Sequence, residues 1–145
     1  MPNLVELLGE TLQSQNGTIE THTLNETRFV AFYFAASSEP NCTKMLPNFI
    51  NYYHQLRVEQ GKETFEVVFV SSDNDIASFE NHYAQMPWLT LKYDKEAFKN
   101  LFTLYQVVEI PCVILLNKSL DIVTRSVNNY IVYPKLTLKK DYIKP

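Results

Sequence analysis

The chain has 145 residues, of which 46% are hydrophobic and 20% charged, which is enough for one core but short for two domains. We therefore expect a single domain over residues 1–145. The formal net charge of -3 offers no basic surface for nucleic acid or anionic lipid. The first residues have no cationic start, and no later stretch is apolar enough to cross a membrane, which predicts a cytoplasmic or nuclear protein with no membrane partner.

The N-terminal part of the chain predicts a short helix and two strands. Leucine and valine side chains at residues 4–8, followed by Gly9, indicate a helical turn. Alternating apolar and polar residues over 19–24 predict a half-buried strand. The continuous apolar run over 29–36 is typical of a central strand that helices cover on both faces.

The middle of the chain predicts alternating helices and strands. Apolar side chains recur at helical spacing from Asn41, which predicts an amphipathic helix that ends near Gly61. Residues 65–70 repeat the pattern of a buried strand. We expect Ser72 or Asp73 to cap the helix that follows.

The last predicted elements are a helix capped by Asp94 and a hairpin. A polar turn separates the strand Cys112–Leu116 from a second strand over 122–127, so the two pair antiparallel. Together the elements predict an α/β fold with a central mixed β-sheet, helices on both faces and a C-terminal β-hairpin. After residue 127, the segment that begins at Pro134 is either a terminal helix or a cover for the sheet.

Several segments resemble one branch of the thioredoxin superfamily. Residues 33–42, Tyr-Phe-Ala-Ala-Ser-Ser-Glu-Pro-Asn-Cys, resemble the strand end of tryparedoxins and nucleoredoxins, where Tyr-Phe-Ser-Ala-Ser leads into Trp-Cys-Pro-Pro-Cys. Residues 65–73 and the Met-Pro-Trp-Leu of residues 86–89 also resemble this branch, and residues 110–111 resemble its cis-proline signature. The resemblance extends over about residues 7–127 and implies a thioredoxin-like three-layer fold.

The same resemblance implies that the attacking cysteine is missing. In this family the first cysteine lies at a helix N-terminus, where its thiolate attacks a disulfide, and the second resolves the mixed disulfide. When the family motif is aligned with this sequence, Glu39 takes the position of the attacking cysteine, Cys42 that of the resolving cysteine and Ser38 that of the tryptophan. A carboxylate is too weak a nucleophile toward a disulfide sulfur, so the two-cysteine cycle cannot run. Glu39 is then either a helix-capping acid, with Pro40 near the first helical position, or part of a binding surface.

The cysteines and histidines leave few chemical alternatives. Cys42 is either an inert thiol in the core or a monothiol that forms mixed disulfides with partners or glutathione. We expect Cys112 to turn into the core, and a bridge between the two cysteines requires Cα atoms within about 7 Å. His22, His54 and His82 share no ligand spacing, so we expect neither a metal site nor a cofactor.

The resemblance also implies a binding edge. In this family the backbone before the cis-proline pairs with an extended peptide, as an added strand would. The residues expected to contact a partner are Ser38, Pro40, Asn41, Trp88, Ile110 and Pro111. The leading hypothesis is a non-catalytic peptide- or protein-binding or regulatory module. The alternatives are a weak monothiol oxidoreductase or redox sensor acting through Cys42, and a structural subunit of a larger assembly.

Overall fold

A computed structural model describes residues 3–127 of the chain. The strands are β1 (Thr11–Ser14), β2 (Gly17–Glu20), β3 (Phe29–Ala35), β4 (Phe65–Ser71), β5 (Leu89–Thr90), β6 (Cys112–Leu116) and β7 (Ile122–Thr124). The helices are α1 (Leu4–Leu8), α2 (Pro40–Gln60), α3 (Ile76–Tyr83) and α4 (Lys95–Leu104), and a 3₁₀ helix spans Thr21–Glu26. The segment predicted to begin at Pro134 lies outside the described residues. None of the described helices is both long and apolar enough to cross a membrane.

The strands form one mixed sheet in the order β2-β1-β5-β4-β3-β6-β7. The central strand β3 pairs parallel with β4 and antiparallel with β6, so that Phe34 lies opposite Val70 on one side and Cys112 on the other. The strands β6 and β7 form the antiparallel hairpin. The predicted α/β class, with a central mixed sheet and a C-terminal hairpin, is confirmed.

Side chains of β3 pack against helices on both faces of the sheet. The ring of Tyr33 contacts that of Phe49 on α2, with ring centroids 4.9 Å apart. The next residue, Phe34, points to the opposite face and contacts Phe102 on α4, also at 4.9 Å. Every residue of β3 is buried, which is why its sequence is continuously apolar rather than alternating.

The helix α2 forms because of its ends as well as its buried face. Pro40 occupies the first turn, where its missing N–H would have no helical partner. Gly61 ends the helix with φ +99°, a conformation that a residue with a Cβ rarely adopts. The buried face consists of Cys42, Met45, Leu46, Phe49, Tyr53 and Leu56.

The predicted ends of two strands are wrong. The predicted strand over 19–24 ends at Glu20, because the chain turns into the 3₁₀ helix, which buries Thr21 and Leu24 three residues apart. The last strand stops at Thr124 rather than at residue 127. There the Thr124 hydroxyl accepts a hydrogen bond from the backbone N–H of Ser126, a local turn that competes with the sheet.

The predicted cap of α3 is also wrong. Asp75, and neither Ser72 nor Asp73, occupies the N-cap, and its carboxylate accepts a hydrogen bond of 2.7 Å from the backbone N–H of Ser78. Asp73 is buried and engaged elsewhere, as described below.

Candidate functional site

The site predicted from the sequence lies where β3 passes into α2. Glu39 is the N-cap of α2, and its carboxylate accepts a hydrogen bond of 3.2 Å from the backbone N–H of Asn41. Its backbone carbonyl accepts from the N–H of Cys42 at 3.0 Å. A carboxylate in this position is stabilised by the positive end of the helix. Glu39 therefore caps the helix, which is one of the two roles predicted for it.

Cys42 lies in the first turn of α2 and faces the core. Its side chain is fully buried, at 0% exposure. Burial raises the pKa of the Cys42 thiol, and the negative charges of Glu39 and Asp73 raise it further, against a hydrogen bond from the backbone N–H of Ala36 that lowers it. The thiol is therefore protonated and shielded at neutral pH, which are the properties of an unreactive cysteine.

A buried carboxylate holds the loop that precedes α2. Asp73 Oδ1 accepts hydrogen bonds from the backbone N–H and the hydroxyl of Ser37, both at 2.7 Å. Its Oδ2 accepts from the hydroxyl of Ser71 at 2.6 Å and lies 3.1 Å from His82 Nδ1. Because an ionised carboxylate can only accept, Nδ1 of His82 carries the proton. Burial alone would raise the pKa of Asp73, but the hydrogen bonds from His82, Ser71 and Ser37 outweigh it and hold the pKa well below its usual range.

Sequence reasoning missed the role of Asp73 and treated it only as a possible helix cap. In the sequence Asp73 lies within a polar stretch, residues 72–75, that directly follows the buried strand β4, but nothing local connects it to Ser37 or His82. Sequence reasoning left His82 as either a surface or a satisfied side chain, and it is the second, with 3% exposure. His22 lies on the surface beside Glu20. Within residues 3–127, no three histidine, cysteine or acidic side chains lie close enough to hold a metal ion.

The loop before β6 lies beside the same end of β3. The peptide bond between Ile110 and Pro111 is cis, and both residues are half-buried. Because Cys112 pairs with Phe34, the residues just before Cys112 lie beside those just after Phe34, where the chain turns toward Glu39. A cleft of about 260 Å³ opens here and is lined by Gln106, Val107, Val108, Glu109, Pro111, Cys112, Arg125 and Ser126. We call it the Pro111 cleft.

The residues predicted to contact a partner differ in how far they are exposed to solvent. Ser38, Pro40 and Asn41 are exposed around the start of α2. The prediction that Trp88 contacts a partner disagrees with its burial, since only 1% of it is exposed. Its ring packs in the core against Phe49, at a centroid distance of 4.5 Å, and against Tyr33 and Tyr53. Trp88 therefore belongs to the core between the sheet and α2 and does not line the surface of the site.

Cys112 differs from the prediction that it turns into the core. It is half-buried, because it is the first residue of β6 and borders the Pro111 cleft. Burial raises the pKa of its thiol, and the nearby Arg125 lowers it in part. Neither Cys42 nor Cys112 is in a disulfide.

The architecture defines a class of protein. A helix that begins at the end of the central strand, a proline loop beside that start and helices on both faces of a mixed sheet are the features of a thioredoxin-like fold. A family model described as thioredoxin-like matches residues 26–122, and the chain belongs to this family.

Tryparedoxins and nucleoredoxins are among its relatives. Nucleoredoxin from Mus musculus is 32% identical over 120 residues, which cover 82% of this chain and 27% of nucleoredoxin. The crystal structure of tryparedoxin I from Crithidia fasciculata is 31% identical with a TM-score of 0.81, covering 91% of this chain and 92% of that one. Tryparedoxin II complexed with glutathionylspermidine is 27% identical with a TM-score of 0.79, covering 87% and 88%. The chain thus spans about a quarter of the length of nucleoredoxin.

Proposed function

We propose that the chain is a non-catalytic, peptide- or protein-binding member of the thioredoxin-like family, with Glu39 at the position of the attacking cysteine. The observation that carries this proposal is the pairing of a capping carboxylate at the helix start with a thiol, Cys42, that has 0% exposure. Disulfide exchange begins with an accessible thiolate, and neither side chain supplies one.

The Pro111 cleft supports a binding role. Val108 on its rim is 93% exposed, so its apolar side chain is available to contact a ligand. Arg125 and Glu109 bring one charge of each sign to the cleft. A short peptide with an apolar side chain and charged termini matches this lining. Tryparedoxin II forms a complex with glutathionylspermidine, so a glutathione-like peptide is the first ligand to test.

The alternative function, a monothiol oxidoreductase or redox sensor, requires Cys42 to reach solvent. Burial and a raised pKa oppose this, because both reduce the fraction of accessible thiolate. We therefore rank it second. Rapid glutathionylation of Cys42 in the folded chain would reverse this order, and intact-mass and peptide mass spectrometry would detect it.

The position of Glu39 is tested by restoring the missing thiol. We expect Glu39→Cys to reduce insulin disulfides with a dithiol donor, because the new thiol stands at a helix N-terminus one turn before Cys42. The matched control is Glu63→Cys, which replaces an exposed acid away from the helix start. If Glu39→Cys has no more activity than Glu63→Cys, Glu39 does not occupy the attacking position.

The binding role is tested by titrating the ¹⁵N-labelled chain with reduced glutathione and following amide chemical shifts. We expect saturable shifts at Val108, Cys112 and Arg125, and weaker binding in Arg125→Gln, which loses the cation of the cleft. The matched control is Arg28→Gln, on another part of the chain. Shifts that are absent, or that lie only outside the Pro111 cleft, would contradict binding of such a peptide there.

A further inference from the structure

A second pocket lies at the carboxyl end of β4, apart from the Pro111 cleft. Its volume is about 400 Å³, and its lining shares no residue with that cleft. Ligands of α/β proteins bind outside the carboxyl ends of parallel strands, and pockets of this size hold small molecules. The residues of this lining that bear on binding are Ser72, Asn74, Lys95, Phe98, Lys99 and Phe102. We call it the α4 pocket.

Two lysines give the α4 pocket a positive side. Lys95 and Lys99 are four residues apart on α4, so their side chains lie on the same face of the helix. Neither forms an ion pair with any of residues 3–127. Two like charges at this spacing repel each other, and an anion between them would relieve the repulsion.

Two phenylalanines give the pocket an aromatic side. Phe98 is buried, and Phe102 is half-buried with its ring held edge-on against Phe34. Phe102 lies three residues after Lys99 on α4, within one helical turn of it. A ligand that reaches the lysines therefore also meets the exposed part of the Phe102 ring, which favours a second ring in offset or edge-to-face contact.

Two acidic residues lie near the pocket, and among residues 3–127 neither forms an ion pair with Lys95 or Lys99. Asp73 is in the lining, but it is 5% exposed and its oxygens accept from Ser37, Ser71 and His82. The pKa of Asp75 is lowered mainly by hydrogen bonding to Ser78 and to a smaller extent by Lys95. Asp75 is exposed, and its carboxylate accepts a hydrogen bond from the backbone N–H of Ser78. Polar donors at Ser72 and Asn74 complete the lining.

We propose that the α4 pocket binds a small organic anion that consists of an aromatic ring bearing a phosphate or carboxylate group. The anionic oxygens lie between Lys95 and Lys99, and the ring packs against the half-buried Phe102. Charge-assisted hydrogen bonds fix the anion, while ring contacts select an aromatic body. This site uses none of the residues from Glu39 to Cys42. The result of its test is therefore independent of the tests of the proposed function.

The test is a titration of the ¹⁵N-labelled full chain with phenyl phosphate, with inorganic phosphate and benzyl alcohol as probes of each half of the ligand. We expect saturable amide shifts over Asn74 and α4, and affinity for phenyl phosphate roughly tenfold or more above that for either probe. Equal affinity for inorganic phosphate or for benzyl alcohol would overturn the proposal, as would the absence of saturable shifts.

The charge of the pocket is tested with a double variant and a matched control. Lys95→Gln with Lys99→Gln removes both cations, preserves helix propensity and should weaken phenyl phosphate binding by roughly tenfold or more. Lys62→Gln with Lys118→Gln makes the same charge change at exposed positions outside the pocket and should leave binding unchanged. Equal affinity of the two double variants would overturn the proposal, and thermal unfolding verifies that both are folded.

Discussion

Replacing Asp73 with asparagine should destabilise the fold by removing one buried charge. The carboxylate accepts four hydrogen bonds, two from Ser37 and one each from Ser71 and His82. Asparagine keeps one accepting oxygen for Ser37, but its NH₂ group faces the donors of Ser71 and His82. Two charge-assisted bonds become neutral ones, and two buried donors must find new partners.

The magnitude follows from these four bonds. A hydrogen bond to a charged group contributes about 1.5–3 kcal/mol and a neutral one about 0.5–1.5 kcal/mol, and an unsatisfied buried donor costs about 1–3 kcal/mol. Reorientation of the Ser71 hydroxyl recovers part of the loss. We therefore expect Asp73→Asn to lower the free energy of unfolding by about 3–6 kcal/mol, or Tm by roughly 6–24 °C for a domain of this size.

The assay is thermal and urea unfolding, with Asp75→Asn as the matched control. Asp75 is an exposed N-cap two residues away, and asparagine caps helices as well as aspartate does. The pKa of Asp73 is lowered in the folded state, so its stabilisation is fully present above the ordinary carboxyl pKa of about 4 and is lost as the pH falls below it. The difference between wild type and Asp73→Asn should therefore narrow in acid. Equal stabilities of Asp73→Asn and Asp75→Asn at neutral pH would refute the reasoning.

Three further predictions concern the thiols, the core and the helix start. At neutral pH, iodoacetamide should modify the half-buried Cys112 at least about tenfold faster than the buried Cys42. Peptide mass spectrometry measures both rates, and faster modification of Cys42 would contradict its burial. Trp88→Ala should cost about 3–5 kcal/mol in urea unfolding, and a cost below about 1 kcal/mol would show that its aromatic contacts contribute little. Glu39→Ala should cost about 0.3–1 kcal/mol in urea unfolding and Glu39→Asp almost nothing, whereas equal losses would argue against capping.

Local patterns predicted the parts of the fold that depend on neighbouring residues. The apolar run of β3 and the helical spacing of α2 predicted a covered central strand and an amphipathic helix, because burial on two faces or on one stripe leaves a distinct pattern. Asp94 was predicted to cap α4, and its carboxylate accepts from the backbone N–H groups of Glu96 and Ala97. The strand predicted over 19–24 was wrong after Glu20, since a pattern of only six residues fits either a strand or a strand end followed by a 3₁₀ turn.

The candidate site was predictable only in part. The capping position of Glu39 and the burial of Cys42 each match one of the two alternatives that the sequence left open for that residue. The Asp73 cluster was not predictable, because Ser37 is 36 residues away from it and contacts it only after β3 and β4 pair. Trp88 could not be placed for the same reason, since its burial depends on rings contributed by β3 and α2.

The proposed function requires that this thioredoxin-like chain does not exchange disulfides. The most direct test measures the steady-state rate at which the unmodified chain, supplied with a dithiol donor, reduces glutathione disulfide. We predict a rate equal to that of the donor alone, and the same rate for Cys42→Ser and Cys112→Ser. Turnover above the donor rate that disappears in Cys42→Ser and persists in Cys112→Ser would contradict the account.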